Sequence, residues 1–129
     1  MVSHIDPTDS NNLIIFKSKY FISLLICLHL LAGADVNMQC ADGTTALMAA
    51  ILDRHLHLVH LLLSNGACVN MARKDGVTAL MTSAVCGDER ITEALLSKGV
   101  AKVDTQNRAK QTALILAAKH NHVAVTEVI

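Results

Sequence analysis

Aromatic side chains are almost missing from this chain of 129 residues: it has no tryptophan, one tyrosine and two phenylalanines. A surface that stacks on unpaired bases needs aromatic platforms, and these are too few to build one. Charge of one sign is missing as well. Eleven Lys and Arg face eleven Asp and Glu, giving a net charge of zero with the seven His neutral. Without a basic stripe to meet phosphates, nucleic acid is excluded as the main partner. The four cysteines, at positions 27, 40, 68 and 86, include no C-x-x-C pair. Their irregular placement reads as reduced, structural thiols in a reducing, cytoplasmic compartment. The apolar run at residues 20–32 is thirteen residues long, whereas a membrane-spanning helix needs about 20. No G-x-S-x-G elbow surrounds Ser64, Ser83 or Ser97, and no glycine-rich loop is built to cradle phosphate. Asp42-Gly43 and Asp75-Gly76 lack the alternating acids and closing Glu of a calcium loop, and read as turns. Catalysis, a cofactor and a bound metal are therefore not expected.

What the chain has instead is a period. Asp42-Gly43-Thr44-Thr45-Ala46-Leu47-Met48 returns 33 positions later as Asp75-Gly76-Val77-Thr78-Ala79-Leu80-Met81. It returns in weaker form, after 34 positions, as Ala109-Lys110-Gln111-Thr112-Ala113-Leu114-Ile115. Gly33-Ala34-Asp35-Val36-Asn37 keeps the same beat, as Gly66-Ala67-Cys68-Val69-Asn70 and then as Gly99 with Val103-Asp104. A fixed period of this size means stacked supersecondary units, not one globular core. Within a unit, Leu47, Ala49 and Ala50, then Leu58, Val59, Leu62 and Leu63, fall on helical offsets. Thr45, Thr78 and Thr112 precede these runs as helix starts, and Gly66 and Gly99 follow Leu-rich segments as helix stops. The composition, 52% hydrophobic and rich in Leu, Ala and Val, suits stacked helices without invoking a membrane protein.

These units resemble the ankyrin repeat. The best copy runs Cys40-Ala41-Asp42-Gly43-Thr44-Thr45-Ala46-Leu47-Met48-Ala49-Ala50, passes Arg54-His55 and Leu58-Val59-His60-Leu61-Leu62-Leu63, and closes at Gly66-Ala67-Cys68-Val69-Asn70. The resemblance covers residues 33–129. It implies an all-α, helix-turn-helix solenoid with short hairpin-like loops, built of two full and two partial repeats. Residues 1–19 read as an irregular leader, 20–37 as a degenerate partial repeat, 38–70 and 71–104 as full repeats, and 105–129 as a truncated one. Some positions depart from the family pattern. Ala46, Ala79 and Ala113 replace its Pro, a small loss because Ala is a good helix former. Met48, Met81 and Ile115 replace its His. Arg54 and Asn121 sit where Gly usually permits a left-handed turn, which Gly87 keeps, and Lys110 sits where Gly43 and Gly76 mark tight turns. Non-Gly residues there are expected to carry strain.

Residues 13–34 admit two readings. In one, residues 22–32 are the second helix of a leading repeat, with Gly33 on the 33-residue beat. In the other, Lys17 and Lys19, the apolar run and Ala32-Gly33-Ala34 form a targeting signal that leads a secreted or membrane-tethered product. The period favours the helix. At the far end a second helix begins near Val123 and the repeat lacks its closing motif, which suggests part of a longer array or a regulatory segment of a larger enzyme or channel.

Histidines cluster at His55, His57 and His60 and at His120 and His122. His55 and His122 occupy the family's helix-linking position, and His57 and His60 fall on the outward side of a second helix, so a zinc site is not expected. The resemblance implies that the free positions of loop tips and first helices line a concave groove that binds another protein. In the first full copy these are Ala41, Asp42, Thr44, Leu52 and Asp53. In the next they are Lys74, Asp75, Val77, Val85 and Cys86. In the third they are Arg108, Ala109, Gln111, Lys119 and His120. The row drifts from acidic to basic, with Leu52, Val77 and Val85 expected as an apolar centre.

Overall fold

The structure, a computed structural model, describes residues 32–33, 35–97 and 100–129. Every element below lies in one compact unit, residues 36–129. The expectations for residues 1–31, and so nearly all of both readings of 13–34, lie outside the described residues, as does the helix stop at Gly99.

Six helices run in three pairs among the described residues: α1 (Ala46–Leu52) with α2 (Leu56–Ser64), α3 (Ala79–Cys86) with α4 (Glu89–Leu96), and α5 (Ala113–Lys119) with α6 (Val123–Val128). The three threonines start the first helix of each pair. The hydroxyls of Thr45, Thr78 and Thr112 accept from the backbone N–H of Met48, Met81 and Ile115, each at 3.3 Å. Such a cap contributes about 1 kcal/mol by satisfying a donor that the helix cannot. The second helices start differently. His55 Nδ1 accepts from Leu58 N–H at 3.3 Å, and Asp88 Oδ1 accepts from Ile91 N–H at 3.1 Å. Between the helices of each pair the chain turns through a left-handed residue, at Arg54 (φ 56°), Gly87 (φ 74°) and Asn121 (φ 59°). Arg54 thus carries the strain expected of a non-Gly residue there, while Asn121 tolerates it better. After α2, Gly66 closes the helix at φ 87°.

α1, α3 and α5 pack side by side as an inner layer, and α2, α4 and α6 pack as an outer one. The core lies between them: Leu47, Met48, Ile51, Val59, Leu62, Met81, Ile91, Leu95 and Val125 are fully buried. The buried hydroxyls between the layers are satisfied locally. Ser83 Oγ donates to Leu80 O at 2.8 Å, and the single Thr92 hydroxyl proton is shared between Asp88 O at 2.8 Å and Ser83 Oγ at 3.1 Å, the latter contact tying α3 to α4.

The hairpins are narrow. Gln39 bridges Thr45 and Ala72 bridges Thr78 in antiparallel fashion. Each tip folds back on itself: the N–H groups of Gly43, Gly76 and Lys110 donate to the carbonyls of Cys40, Arg73 and Asn107 at 2.9, 2.9 and 3.0 Å. Neighbouring tips join edge to edge, Lys74 N–H to Asp42 O at 2.9 Å and Arg108 N–H to Asp75 O at 3.0 Å. Two asparagines clamp the opposite ends of the repeats. Asn37 accepts from Cys68 N–H at 2.7 Å and donates to Gly66 O at 3.3 Å. Asn70 accepts from Lys102 N–H and donates to Val100 O, both at 2.8 Å.

Candidate partner-binding surface

The sequence period fixes which side chains share a surface. The positions ending the inner helices, Leu52, Val85 and Lys119, recur at the same place in each unit, and all three are exposed on the inner layer. Beside them runs the row of tips, where Ala41, Asp42, Lys74, Asp75, Arg108, Ala109 and Lys110 are exposed. The tip-to-tip hydrogen bonds hold that row in line.

Asp42 is fastened within its own turn. Its Oδ1 accepts from the Cys40 thiol and from Thr44 N–H, both at 2.9 Å. The thiol, then the Thr44 hydroxyl and backbone N–H, hold its carboxyl far below the usual carboxylate range. Asp75 makes the same turn bond to Val77 N–H at 3.1 Å, and in addition pairs with Arg73 at 2.9 Å. Its charge is therefore compensated by a neighbour within its own hairpin. Lys74, Arg108, Lys110 and Lys119 make no ion pair among the described residues.

Several expected groove residues are less open than their repeat position suggested. Thr44, Asp53, Val77, Cys86 and Gln111 are half-buried. Val77 follows the tip and is half-buried, so the most open apolar positions are Leu52 and Val85, 56% and 42% exposed. Asp53 caps the end of α1, and its Oδ2 is shut away from solvent without a hydrogen-bond partner. Burial raises the Cys86 thiol above its usual range. Gln111 donates its N–H to Asn107 Oδ1 at 2.9 Å inside the third hairpin.

Lys110 was read from sequence only as a strained turn residue, and its φ of 63° bears that out. Its exposed ammonium also adds a third cation to the last repeat. Its place on the tip, two residues after Arg108, sets it beside that cation.

The histidines do different work. His122 Nε2 donates to Val85 O at 2.9 Å, linking the second and third repeats, and its ring lies where a Cβ on Gly87 would sit. His120 stacks beside it, with ring centroids 6.1 Å apart. His57 and His60 face solvent. Among the described residues no three His, Cys, Asp or Glu come together as metal ligands, and no helix is long and apolar enough to cross a membrane. An open hollow of about 300 Å³ lies on the outer layer against Leu56, His60, Arg90 and Glu93, with no buried polar group aimed into it.

A family model of ankyrin repeats, in three copies, matches residues 18–107. The match begins upstream of Gly33, the first residue of the repeated closing motif. It stops short of α5 and α6, where the Thr112 cap, the Lys110 turn and the paired helices carry the repeat onward. No curated protein matches the chain.

Proposed function

The chain belongs to the ankyrin repeat family, whose repeats are in general protein–protein interaction modules, and from that premise we propose that this one binds a partner protein through the tip row and the inner-helix row. The reading needs no chemistry of its own. The observation that carries it is the continuity of the surface: Leu52, Val85 and Lys119 lie beside Lys74, Arg108 and Lys110 across three units held tip to tip by backbone hydrogen bonds. An interface core needs exposed apolar anchors with a polar rim, and Leu52 and Val85 flanked by cations meet that need. The same surface serves an adaptor, a scaffold or one stretch of a longer array, and a cytoplasmic setting accords with three free thiols at Cys40, Cys68 and Cys86.

Affinity capture with residues 1–129 beside a Leu52→Asp, Lys74→Glu, Arg108→Glu variant tests the reading. All three positions are exposed, so the variant should fold, as far-UV circular dichroism will report. A partner held by the first bait and lost by the second supports the groove. Partners retained equally by both baits would place binding elsewhere.

A further inference from the structure

Resting on this reading of the groove, the charges along it carry one step more. At the tip and inner-helix positions the first repeat has Asp42 and Asp53, the second Lys74 and Asp75, and the third Arg108, Lys110 and Lys119. The formal charge therefore runs from minus two through zero to plus three across the three repeats. At the acidic end, the structure consumes much of what is there. Asp42 is occupied by its own turn and Asp53 is half-buried, while Asp75 is paired with Arg73. At the basic end nothing is consumed: Arg108, Lys110 and Lys119 are exposed and make no ion pair among the described residues. Beside them the surface becomes apolar, at Val85 and then Leu52.

We propose that the groove takes an extended, acidic peptide segment of a partner protein, its carboxylates over Arg108, Lys110 and Lys119 and an aliphatic side chain between Val85 and Leu52. Packed helices lie about 10 Å apart, and an extended chain rises about 3.3 Å per residue. Every third peptide residue then meets the same position of the next repeat, so one short segment reaches from the cation cluster to the apolar pair. The polarity sets the direction in which the segment lies, because the reverse orientation would take its acids away from Arg108, Lys110 and Lys119. A nucleic acid is the other polyanion to consider. It is disfavoured because the cations occupy one end of the surface only, the chain as a whole is neutral, and no aromatic platform is available for bases.

The test is a selection from a phage-displayed library of random peptides on the full chain, run in parallel on an Arg108→Glu, Lys110→Glu, Lys119→Glu variant and on Leu52→Asp. The expected pool from the unaltered chain is rich in Asp and Glu at one end and carries an aliphatic residue toward the other. A synthetic binder from that pool should bind about tenfold more weakly to the charge-reversed variant and to a peptide twin with Gln for Glu. Its affinity should also fall as salt is raised, since exposed charges are screened. Peptides lost on Leu52→Asp but without acidic bias would overturn the acidic specificity and leave the groove standing. Pools indifferent to all the variants, or no enrichment at all, would sink the groove as well. A duplex DNA oligonucleotide that binds more tightly than the best peptide would overturn the choice of partner class.

Discussion

Leu80 and Leu114 are the same residue at the same place in successive repeats, on α3 and α5, yet 4% and 44% exposed. Replacing each by Ala isolates what stacking contributes. The substitution removes the equivalent of about three methylenes, worth about 2.4 kcal/mol if fully buried at about 0.8 kcal/mol each. At Leu80 the space is enclosed by α5, so a cavity term adds to it and the expected loss is about 3 kcal/mol. At Leu114 nearly half the side chain is already in water. The transfer part falls to about 1.3 kcal/mol and no closed cavity forms, so the two variants should differ by about 2 kcal/mol, or roughly 30-fold in the folded-to-unfolded ratio. The end repeat can also open at lower cost than the middle one, which lowers the Leu114→Ala effect further. Urea unfolding followed by far-UV circular dichroism measures both, with the slope checked for constancy. Equal losses would refute the reasoning, because they would mean that the outer face of α5 is covered in solution as the face of α3 is.

Gly43→Ala should cost far more than Gly66→Ala. The new Cβ at Gly43 would lie 2.8 Å from Arg73 Cα, a backbone atom that cannot swing aside, while Gly66 has nothing within 4 Å. Thermal melts should show a loss of about 3 kcal/mol against about 1, and equal shifts would contradict the close hairpin packing. Arg54→Gly relieves a left-handed residue at φ 56° and should raise stability by up to about 1 kcal/mol; a fall in melting temperature would count against the strain. The carboxyl of Asp42 is held down in the folded state, so its contribution is full above the unfolded value, near 3.9, and fades as pH falls below it toward the depressed native value. The melting-temperature gap between the wild type and Asp42→Asn should therefore narrow on acidification from neutral pH to pH about 2, and a constant gap would reject the linkage. Burial raises the Cys86 thiol, so iodoacetamide should label exposed Cys40 and Cys68 first and reach Cys86 only slowly until urea is added. Mass-spectrometric mapping that finds Cys86 labelled as fast as Cys40 would contradict its half-buried setting.

The elements were legible where a single residue type has a single local use. Thr45, Thr78 and Thr112 precede apolar runs because a hydroxyl can satisfy the third N–H of the helix, and each does so. Arg54 and Asn121 betrayed left-handed turns by standing where Gly87 stands in the middle unit. What sequence could not convey depends on a second element. Leu114 and Ile115 carry the pattern of Leu80 and Met81, and only the absence of a packed neighbour among the described residues leaves them open. Asp75 looks like Asp42 by letter, but Arg73 forms its ion pair with Asp75 and acts on Asp42 only as the least of several influences. Val77 and Gln111 were expected on the open surface by their place after a tip, and the fold of the hairpin turns them partly inward. Position in a repeat thus identifies a residue's neighbours along the chain, while exposure depends on the units stacked to either side.

The outer face of the third repeat sets two requirements against each other. Its helices offer Leu114 and Ile115, 44% and 48% exposed, at positions that the preceding repeat buries. Taken alone, these favour a further unit stacked by the same translation. The hairpin opposes that. Gly43 and Gly76 lie so near the following hairpin that a Cβ would stand 2.8 Å from Arg73 Cα and 3.0 Å from Asn107 Cα, and at the corresponding place the third repeat carries Lys110. A unit stacked in the same way would have to give way at that side chain. A neighbour covering Leu114 and Ile115 must therefore touch the helices and stand off the tip. In standing off it leaves Arg108 and Lys110 in solvent, which is what the cation cluster needs if it is to receive carboxylates. Lys110 is thus consistent both with a strained turn and with a basic end of the groove that stays open.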